Sequence, residues 1–269
     1  MNVFRPILCL SVCVLGLSAC GKQIDVPQTS AEPPPRYSAA QFFETTSYRL
    51  APSSGKAFSP DGSSLLISSD ATGTFNVYAL PVAGGEPLQL TDSPDNSMFA
   101  ISWFPEDERL LYTYDGQGNE LNHVIVRETD GKHRDLTPGD NLKASFLGWS
   151  ASGESFYLVT TERNQKSFDV YQYSANDYSR ELIFENPGLR ISDISRDGRW
   201  LVVDKPRTSA DSDIFIVDLQ TDKKKPELIT EHQGNISYRS LGFCPDSGCV
   251  NYLTDEFGEF SEAWQYDLE

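Results

Sequence analysis

Basic residues are too few in this sequence to balance the acidic ones. The 269-residue chain has 22 lysines and arginines against 39 aspartates and glutamates, a formal net charge of −17 with histidine neutral. Binding to nucleic acid requires a positively charged face, so we expect no nucleic-acid partner. Histidine is also scarce, at three residues. We expect neither a metal nor another cofactor, because no histidine cluster and no calcium loop with a distal glutamate occurs.

Catalytic motifs are absent as well. The sequence contains no Gly-x-Ser-x-Gly nucleophile elbow and no phosphate-binding Gly-x-x-x-x-Gly-Lys-Ser/Thr loop. The run at 148–153, GWSASG, is the nearest to an elbow and has the wrong spacing. His123, His133 and His232 have no evident serine or cysteine to activate. We therefore assign no catalytic residue, and whether the whole protein is an enzyme stays open.

The first 36 residues have the pattern of an export signal and a tether. Arg5 precedes an apolar run, 7–17, that is too short to span a bilayer. The run ends in Leu-Ser-Ala-Cys-Gly at 17–21, which resembles the bacterial lipobox. We expect a signal peptide at 1–19, a lipidated Cys20 and a proline-rich tether at 20–36. A chance cysteine is the alternative, since Cys9 and Cys13 also occur here.

Residues 37–50 are expected to lead into the folded domain. Ser38 and Gln41 have the spacing of a capping box, which predicts a short helix. Phe42 and Phe43 follow, and we expect this helix to bury both rings. A strand around 48–50 would then join the helix to the rest of the domain.

From residue 51 onward the chain repeats a unit of four short strands. The turns between the first two strands, such as Pro60-Asp61-Gly62, fall at 60, 105, 151, 196 and 245. Their spacing of 45 to 49 residues and their turn chemistry are typical of four-stranded blades. The sequence predicts an all-β propeller of about five blades, the last incomplete. The predicted blades are 51–92, 97–138, 144–186, 189–231 and 236–269.

Two features of the repeat have both a structural and a functional interpretation. An aromatic residue precedes four of the turns: Phe58, Trp103, Trp149 and Phe243. We expect these rings to pack between blades rather than to stack on a substrate. The aspartate of each turn is expected to bond its own backbone rather than a metal.

The register also places two cysteines on either side of the fifth turn. Cys244 corresponds to Ser59 and Cys249 to Ser64 of the first blade. A tight turn brings such positions within bridging distance, and an exported protein meets an oxidising environment. We predict a Cys244–Cys249 disulfide. A metal-binding thiolate pair is the alternative, although two thiolates supply only half of a zinc site.

The repeats resemble those of TolB-type periplasmic propellers and of the prolyl oligopeptidase family of serine peptidases. Longer stretches are similar to a bacterial secreted subgroup of that peptidase family: 42–48, 72–81, 118–123 and 210–214. The resemblance covers residues 40–269. It implies a propeller that precedes an α/β-hydrolase domain, caps its active site and admits only short peptides. No residue here matches that hydrolase domain, so no catalytic residue is carried over.

The resemblance suggests one substrate contact. Family members that release dipeptides hold the free amino group of the substrate with paired glutamates of the propeller. Glu256 and Glu259 are candidates for this role. A solvated acidic loop is the alternative in so acidic a chain.

Three functions are therefore expected or left open. The first is the substrate-gating propeller of a lipid-anchored serine peptidase, with a peptide as substrate and the membrane as partner through the anchor. The anchor is expected in the cell envelope, and Gly21 after Cys20 favours an outer membrane facing the periplasm. The second is a stand-alone TolB-type binding propeller, and the third a remnant without function. Since the fifth unit reaches only its third strand at Glu269, we expect the sequence to be a fragment. A five-bladed ring that closes with an N-terminal strand such as 48–50 is the alternative.

Overall fold

A computed structural model describes residues 34–268, in two compact units that divide after Glu44. Cys20, the expected signal peptide and most of the expected tether lie outside the described residues. Within 34–268, no helix has the length and apolar character needed to cross a membrane.

The described part of the first unit contains one short helix. Helix α1 spans Ala39–Phe43, with Ser38 as its N-cap. The Gln41 amide donates to Ser38 Oγ, and the Ser38 amide donates to Gln41 Oε1, so the predicted capping box forms. The expectation that both rings are buried is wrong, because Phe42 is 66% and Phe43 88% exposed.

The second unit consists of five antiparallel sheets in chain order, and the fold is a β-propeller. The first sheet contains β1 (Tyr48–Leu50), β2 (Ser64–Ser69), β3 (Asn76–Pro81) and β4 (Leu88–Gln89). The second contains β5 (Met98–Trp103), β6 (Leu110–Tyr114), β7 (His123–Arg127) and β8 (His133–Asp135). The third contains β9 (Ala144–Trp149), β10 (Ser155–Thr160), β11 (Asp169–Ser174) and β12 (Arg180–Phe184).

The fourth sheet contains β13 (Arg190–Ile194), β14 (Trp200–Thr208), β15 (Asp211–Asp218) and β16 (Glu227–Leu228). The fifth contains β17 (Tyr238–Phe243), β18 (Cys249–Thr254) and β19 (Glu262–Asp267). Each sheet is ordered as its strands occur in the chain, so every connection within a sheet is a simple hairpin.

The innermost strand of the first sheet differs from the prediction. By the repeat, a strand is expected directly before the turn at 60, over residues 56–58, but the structure has only an isolated bridge there, between Phe58 and Leu65. Strand β1 occupies the inner edge instead, where Leu50 pairs with Ile67. The first sheet therefore begins at Tyr48, ahead of the boundary at 51 expected from the repeat. Residues 52–56 form a loop that interrupts the inner edge.

Four apolar clusters join neighbouring sheets, because successive side chains of a strand point to opposite faces. In the inner hairpin of the second sheet, Leu110 and Tyr112 pack toward the first sheet, whereas Leu111 packs toward the third. The same alternation joins the third sheet to the fourth and the fourth to the fifth. Among residues 34–268, no such cluster joins the fifth sheet to the first.

The aromatic residues before the turns follow this alternation, with one exception. Trp103, Trp149 and Phe243 each pack against the preceding sheet, as expected. Ile194 has the same position in the fourth sheet and packs in the same way. Phe58 is 58% exposed, so the expectation fails there. Its position in the repeat points it away from the second sheet, on the side of the exposed Tyr48 and Leu50.

The turn aspartates have the structural role that the sequence suggested. Ser59 Oγ donates to Asp61 Oδ1 at 2.6 Å, and the Ser63 amide donates to the same oxygen. Asp197 forms the corresponding contacts in the fourth sheet. These bonds hold the pKa of Asp61 near 2, and the Ser59 hydroxyl makes the largest contribution. The carboxylates are thus engaged in closing the turns.

Candidate functional site

A cavity of about 530 Å³ lies where the inner edges of four sheets meet. We call it the inner pocket. Four stretches line it: the loop Ser53–Lys56, the end of β9 at Leu147–Ala151, the end of β13 at Ser192–Ile194 with Arg196, and the end of β17 at Leu241 and Phe243–Pro245. Every stretch lies at or near the turn that follows an innermost strand. The repeat therefore brings residues distant in sequence to one place.

The loop at 52–56 is held against β5 by its backbone. The Lys56 amide donates to Ser102 Oγ at 2.8 Å, and the Lys56 carbonyl accepts from the Trp103 amide at 2.9 Å. Gly55 is pressed so closely on the second sheet that an added methyl group would overlap the Ile101 carbonyl. Glycine is required because only hydrogen fits in this space. The loop thereby has a fixed backbone.

Ser102 connects three sheets beside the pocket. Its hydroxyl is fully buried, accepts from the Lys56 amide and from Trp149 Nε1 at 2.8 Å, and donates to the Trp103 carbonyl at 2.7 Å. A hydroxyl has one proton and two lone pairs, so all of its bonding capacity is used. The hydrogen bond from Trp149 Nε1 to Ser102 Oγ fixes the indole of Trp149 at the pocket wall.

Asp193 joins the fourth and fifth sheets on the other side of the pocket. Its carboxylate accepts from the Ile194 amide and, across the sheet interface, from the Phe243 amide, both at 2.9 Å. Burial raises the pKa of Asp193, and the two amide bonds oppose this effect. Gly242 has a φ of 117°, and a Cβ there would lie 2.6 Å from Asp193 Oδ2. The close approach of the two sheets thus requires glycine.

A second acid, Asp204, is buried and also joins these two sheets. Asp204 Oδ2 accepts from Ser192 Oγ at 2.7 Å and from Ser240 Oγ at 2.9 Å, again linking the fourth and fifth sheets. Its Oδ1 is buried without a partner among the described residues. Sequence reasoning missed Asp193 and Asp204, because neither belongs to a recognisable motif.

Glu256 and Glu259 lie away from the inner pocket. They belong to the loop between β18 and β19, at the Thr254 end of the fifth sheet, whereas the pocket lies at the Phe243 end of β17. Both are exposed. Burial and the nearby Glu256 carboxylate raise the pKa of Tyr238. Glu259 makes no hydrogen bond or ion pair with the described residues.

Cys244 and Cys249 lie on either side of the fifth turn, and Cys244 lines the pocket. Their sulfur atoms are in bonding contact and their Cα atoms are 5.2 Å apart, within the range of disulfides. The predicted disulfide is therefore geometrically compatible, and its formation in the cell stays a prediction. Cys20, the expected lipidation site, lies outside the described residues.

In the described part of the chain, none of the three histidine side chains makes a hydrogen bond to a serine or cysteine. His123 contacts Asp135 at 2.7 Å, His133 contacts the Tyr112 hydroxyl at 3.1 Å, and His232 contacts Asp211 at 3.0 Å. Each of these contacts joins residues of the same sheet or of a neighbouring loop. Within 34–268, no group of three or more histidine, cysteine or acidic side chains is arranged to hold a metal.

The sequence analysis also did not predict a buried charged cluster, which lies where the hairpin of β14 and β15 turns in the fourth sheet. The Asp213 side chain is 1% exposed, lies 2.5 Å from an Arg207 nitrogen, and is accompanied by His232 and Asp211. The stretch 210–214 carried part of the family resemblance, but nothing in it predicted this pairing. Strand β14 extends to Thr208, and this extension brings Arg207 to the cluster.

The family described as prolyl oligopeptidase, N-terminal beta-propeller domain, matches residues 89–243, more than half of the chain. An uncharacterised protein of Agrobacterium fabrum is 26% identical over 189 residues, which cover 65% of this chain and 57% of that protein.

Solved structures confirm the fold. A prolyl endopeptidase structure matches with a TM-score of 0.61 at 14% identity, over 84% of this chain and 35% of that one. TolB from Acinetobacter baumannii matches with a TM-score of 0.50 at 19% identity, over 79% and 51%. A putative TolB from Agrobacterium tumefaciens has a TM-score of 0.50 at 21% identity, over 82% and 77%. The chain spans little more than half the length of the curated relative and of the Acinetobacter protein.

Proposed function

The chain belongs to the family of prolyl oligopeptidase N-terminal β-propeller domains, and on that premise we propose that it is the substrate-gating propeller of a serine peptidase. The family match over residues 89–243 is the observation that carries this proposal. The inner pocket supports it, because a cavity lined by four sheets gives a peptide a defined place to bind or pass. The sequence contains no nucleophile elbow, so the catalytic Ser, Asp and His would come from a hydrolase domain.

The proposal predicts that serine-hydrolase activity accompanies this propeller in the cell. A fluorophosphonate probe should label the native polypeptide that contains this sequence, at a serine outside residues 34–268. Short peptides should be hydrolysed and folded proteins spared. Absence of labelling, together with absence of peptide hydrolysis, would remove the peptidase assignment and favour a binding propeller.

Gating is tested by narrowing the inner pocket. Ser54 lines the pocket and is exposed, so Ser54→Trp adds bulk there without disturbing a buried contact. We expect kcat/KM for peptides to fall several-fold in the native enzyme, while reaction with the small fluorophosphonate is unchanged. Ser63→Trp is the matched control, since Ser63 is exposed on the first turn outside the pocket. Equal effects of the two substitutions would count against gating.

We further propose that the protein is anchored in the cell envelope through Cys20. The lipobox-like run at 17–21 and the proline-rich stretch after it support this. Cys20→Ser should abolish incorporation of labelled palmitate and release the protein from the membrane fraction. Cys13→Ser is the control, because Cys13 lies in the same apolar run and should be removed with the signal peptide. Membrane association that survives Cys20→Ser without label would contradict the anchor.

Glu256 and Glu259 are proposed to hold the free amino group of a peptide. Both are exposed on one loop, and carboxylates bind an ammonium by charge-assisted hydrogen bonds. Replacing both with Gln should raise KM for peptides with a free N-terminus but not for N-blocked peptides in the native enzyme. An equal change in KM for both kinds of peptide would instead show that these glutamates belong to a solvated loop with no role in binding the amino group.

The second candidate function is a TolB-type binding propeller that works through protein contacts. Its support is the shared fold with two TolB structures at a TM-score of 0.50. The fluorophosphonate experiment separates it from the peptidase, because a binding propeller carries no reactive serine.

A further inference from the structure

The inner pocket has a charge balance opposite to that of the chain. Acidic residues outnumber basic ones by 39 to 22 overall, yet the pocket lining contains two cations, Lys56 and Arg196, and a single acid, Asp193. A site built to receive a cation in so acidic a protein would be expected to carry several free carboxylates. The lining instead favours an anion.

The two cations are not used by the fold. Lys56 and Arg196 are exposed, and neither side chain forms a hydrogen bond or ion pair with the described residues. Several other basic side chains form ion pairs: Arg109 with Asp107, Arg163 with Asp169 and Arg199 with Asp218. Lys56 and Arg196 thus retain all their donors for a ligand.

The backbones that carry these cations are fixed, although their side chains are free. Lys56 is held at both its amide and its carbonyl by β5. The Arg196 carbonyl accepts from the Ala151 amide at 2.7 Å, which fixes the fourth turn on the third. Fixed attachment points reduce the entropy lost when long side chains close on a ligand. The pocket is thus partly organised before binding.

Asp193, the single acid of the lining, is in a poor position to repel an anion. Asp193 is half-buried, and both of its oxygens accept backbone amide hydrogens. Burial raises its pKa. The remaining polar groups facing the pocket include the exposed hydroxyls of Ser53 and Ser54, on the same loop as Lys56. Hydroxyls donate to anions readily, and they complete a donor-rich surface.

We propose that the inner pocket binds the carboxylate of a peptide between Lys56 and Arg196. The cavity accommodates a few residues rather than a folded chain, at about 530 Å³. Trp149, which lines the pocket and is fixed through Ser102, provides an apolar wall beside the charged groups. The peptide identity of the ligand rests on the proposed function, whereas recognition of a carboxylate rests on the pocket alone.

Binding is measured directly on the chain, without any peptidase assay. Trp149 provides a fluorescence signal, and calorimetry provides an independent one. The probes are an alanine tripeptide with a free C-terminus, the same tripeptide amidated, and an amidated tripeptide with one internal glutamate. We expect the free acid to bind and amidation to weaken it by about tenfold, the typical size of a charged hydrogen bond. Added salt should weaken binding as well.

The variants test the two cations. Lys56→Met and Arg196→Met keep the aliphatic stems, and each should weaken the free acid several-fold while leaving the weak binding of the amidated peptide unchanged. Lys132→Met is the control, because Lys132 is exposed and paired with Asp130 in another turn. All variants should retain the unfolding midpoint of the wild type, since neither pocket side chain supports the fold.

The outcomes are distinct. Binding of the internal glutamate peptide as tightly as the free acid would assign an acidic side chain as the source of the carboxylate. Inorganic phosphate that binds as tightly as the peptide would reduce the site to a general anion site and overturn the proposal. Equal binding of free and amidated peptides, or no binding of either, would overturn it too. The peptidase assignment is unaffected by these results, because it is tested by the fluorophosphonate label.

Discussion

At the scale of single residues, His232 is a buried imidazole with an oxygen at each nitrogen. Nδ1 lies 2.9 Å from the Thr230 carbonyl, and Nε2 lies 3.0 Å from Asp211 Oδ1. A carbonyl and a carboxylate only accept, so both nitrogens must donate, which requires the protonated ring. The Thr230 carbonyl and the nearby aspartates raise the pKa of His232. Arg207 and the ring of Tyr238 also face this cluster.

This geometry predicts a pH-dependent contribution of His232 to stability. The folded-state pKa lies above the unfolded value of about 6.5, so the contribution is complete below pH 6.5 and is lost as pH rises through the folded-state pKa. We expect His232→Gln to lower the free energy of unfolding by about 1–2 kcal/mol at low pH and by less at high pH. Urea unfolding at a series of pH values measures the difference.

His133 is the control for this prediction. Burial lowers the pKa of His133, so protonation of its ring destabilises the fold at low pH. The contribution of His133 to the free energy of unfolding should therefore rise with pH, whereas that of His232 falls. A His232→Gln difference that is constant with pH would show that the ring is neutral in the folded protein.

Cys244 and Cys249 give a second prediction at this scale. We expect the purified mature protein to show no free thiol from this pair without reductant. Closing so short a loop contributes only about 2 kcal/mol in the chain-entropy model, so reduction should lower the unfolding midpoint slightly rather than unfold the domain. Thiol titration before and after reduction measures this. Two reactive thiols in the non-reduced protein would show that the bond is not formed.

At the scale of elements, the loop at 52–56 is the least regular part of the first sheet and depends on one glycine. Gly55→Ala places a methyl group against the Ile101 carbonyl, so either the loop or β5 must shift. We expect a loss of about 1–3 kcal/mol in the free energy of unfolding, as for other overpacked positions. Weaker carboxylate binding should accompany it, because Lys56 moves with the loop.

Gly258→Ala is the matched control for the loop. Gly258 has open space around its Cβ position and lies in the loop between β18 and β19. Its substitution should leave stability unchanged or raise it slightly, by reducing the entropy of the unfolded chain. If both substitutions had equal effects, the contact of Gly55 with β5 would be irrelevant to stability.

The elements also show what the sequence can and cannot predict. The strand and turn periodicity was sufficient to predict the propeller and the positions of the turns, because each repeat carries its own alternation and turn residues. Phe58 shows the limit, since its local pattern equals that of Trp103 although its surroundings differ. The inner pocket was not predictable either. Lys56, Asp193 and Arg196 meet only through the arrangement of separate sheets, which no local motif records.

At the scale of the whole molecule, stability is distributed over four clusters that each join two neighbouring sheets. The outward side of the first sheet exposes Tyr48, Leu50 and Phe58, each more than half accessible. Strand β19 is exposed along its length and includes Trp264 and Tyr266. An uncovered apolar face and an open strand edge are both sites of association between chains.

We therefore predict that a polypeptide of residues 37–269 self-associates reversibly in solution. Its net negative charge opposes association at long range, so added salt should promote it by screening the repulsion. Leu50→Ser together with Phe58→Ser should shift the protein toward monomer, because exposed side chains are removed without opening a buried cluster. Leu228→Ser is the control, since Leu228 is also exposed, at 41%, but lies on the fourth sheet. Sedimentation velocity over a range of concentrations measures the association. A wild-type polypeptide that stays monomeric in high salt would show that the face of the first sheet is covered in solution, which would require β19 or residues before Tyr48 to pack upon it.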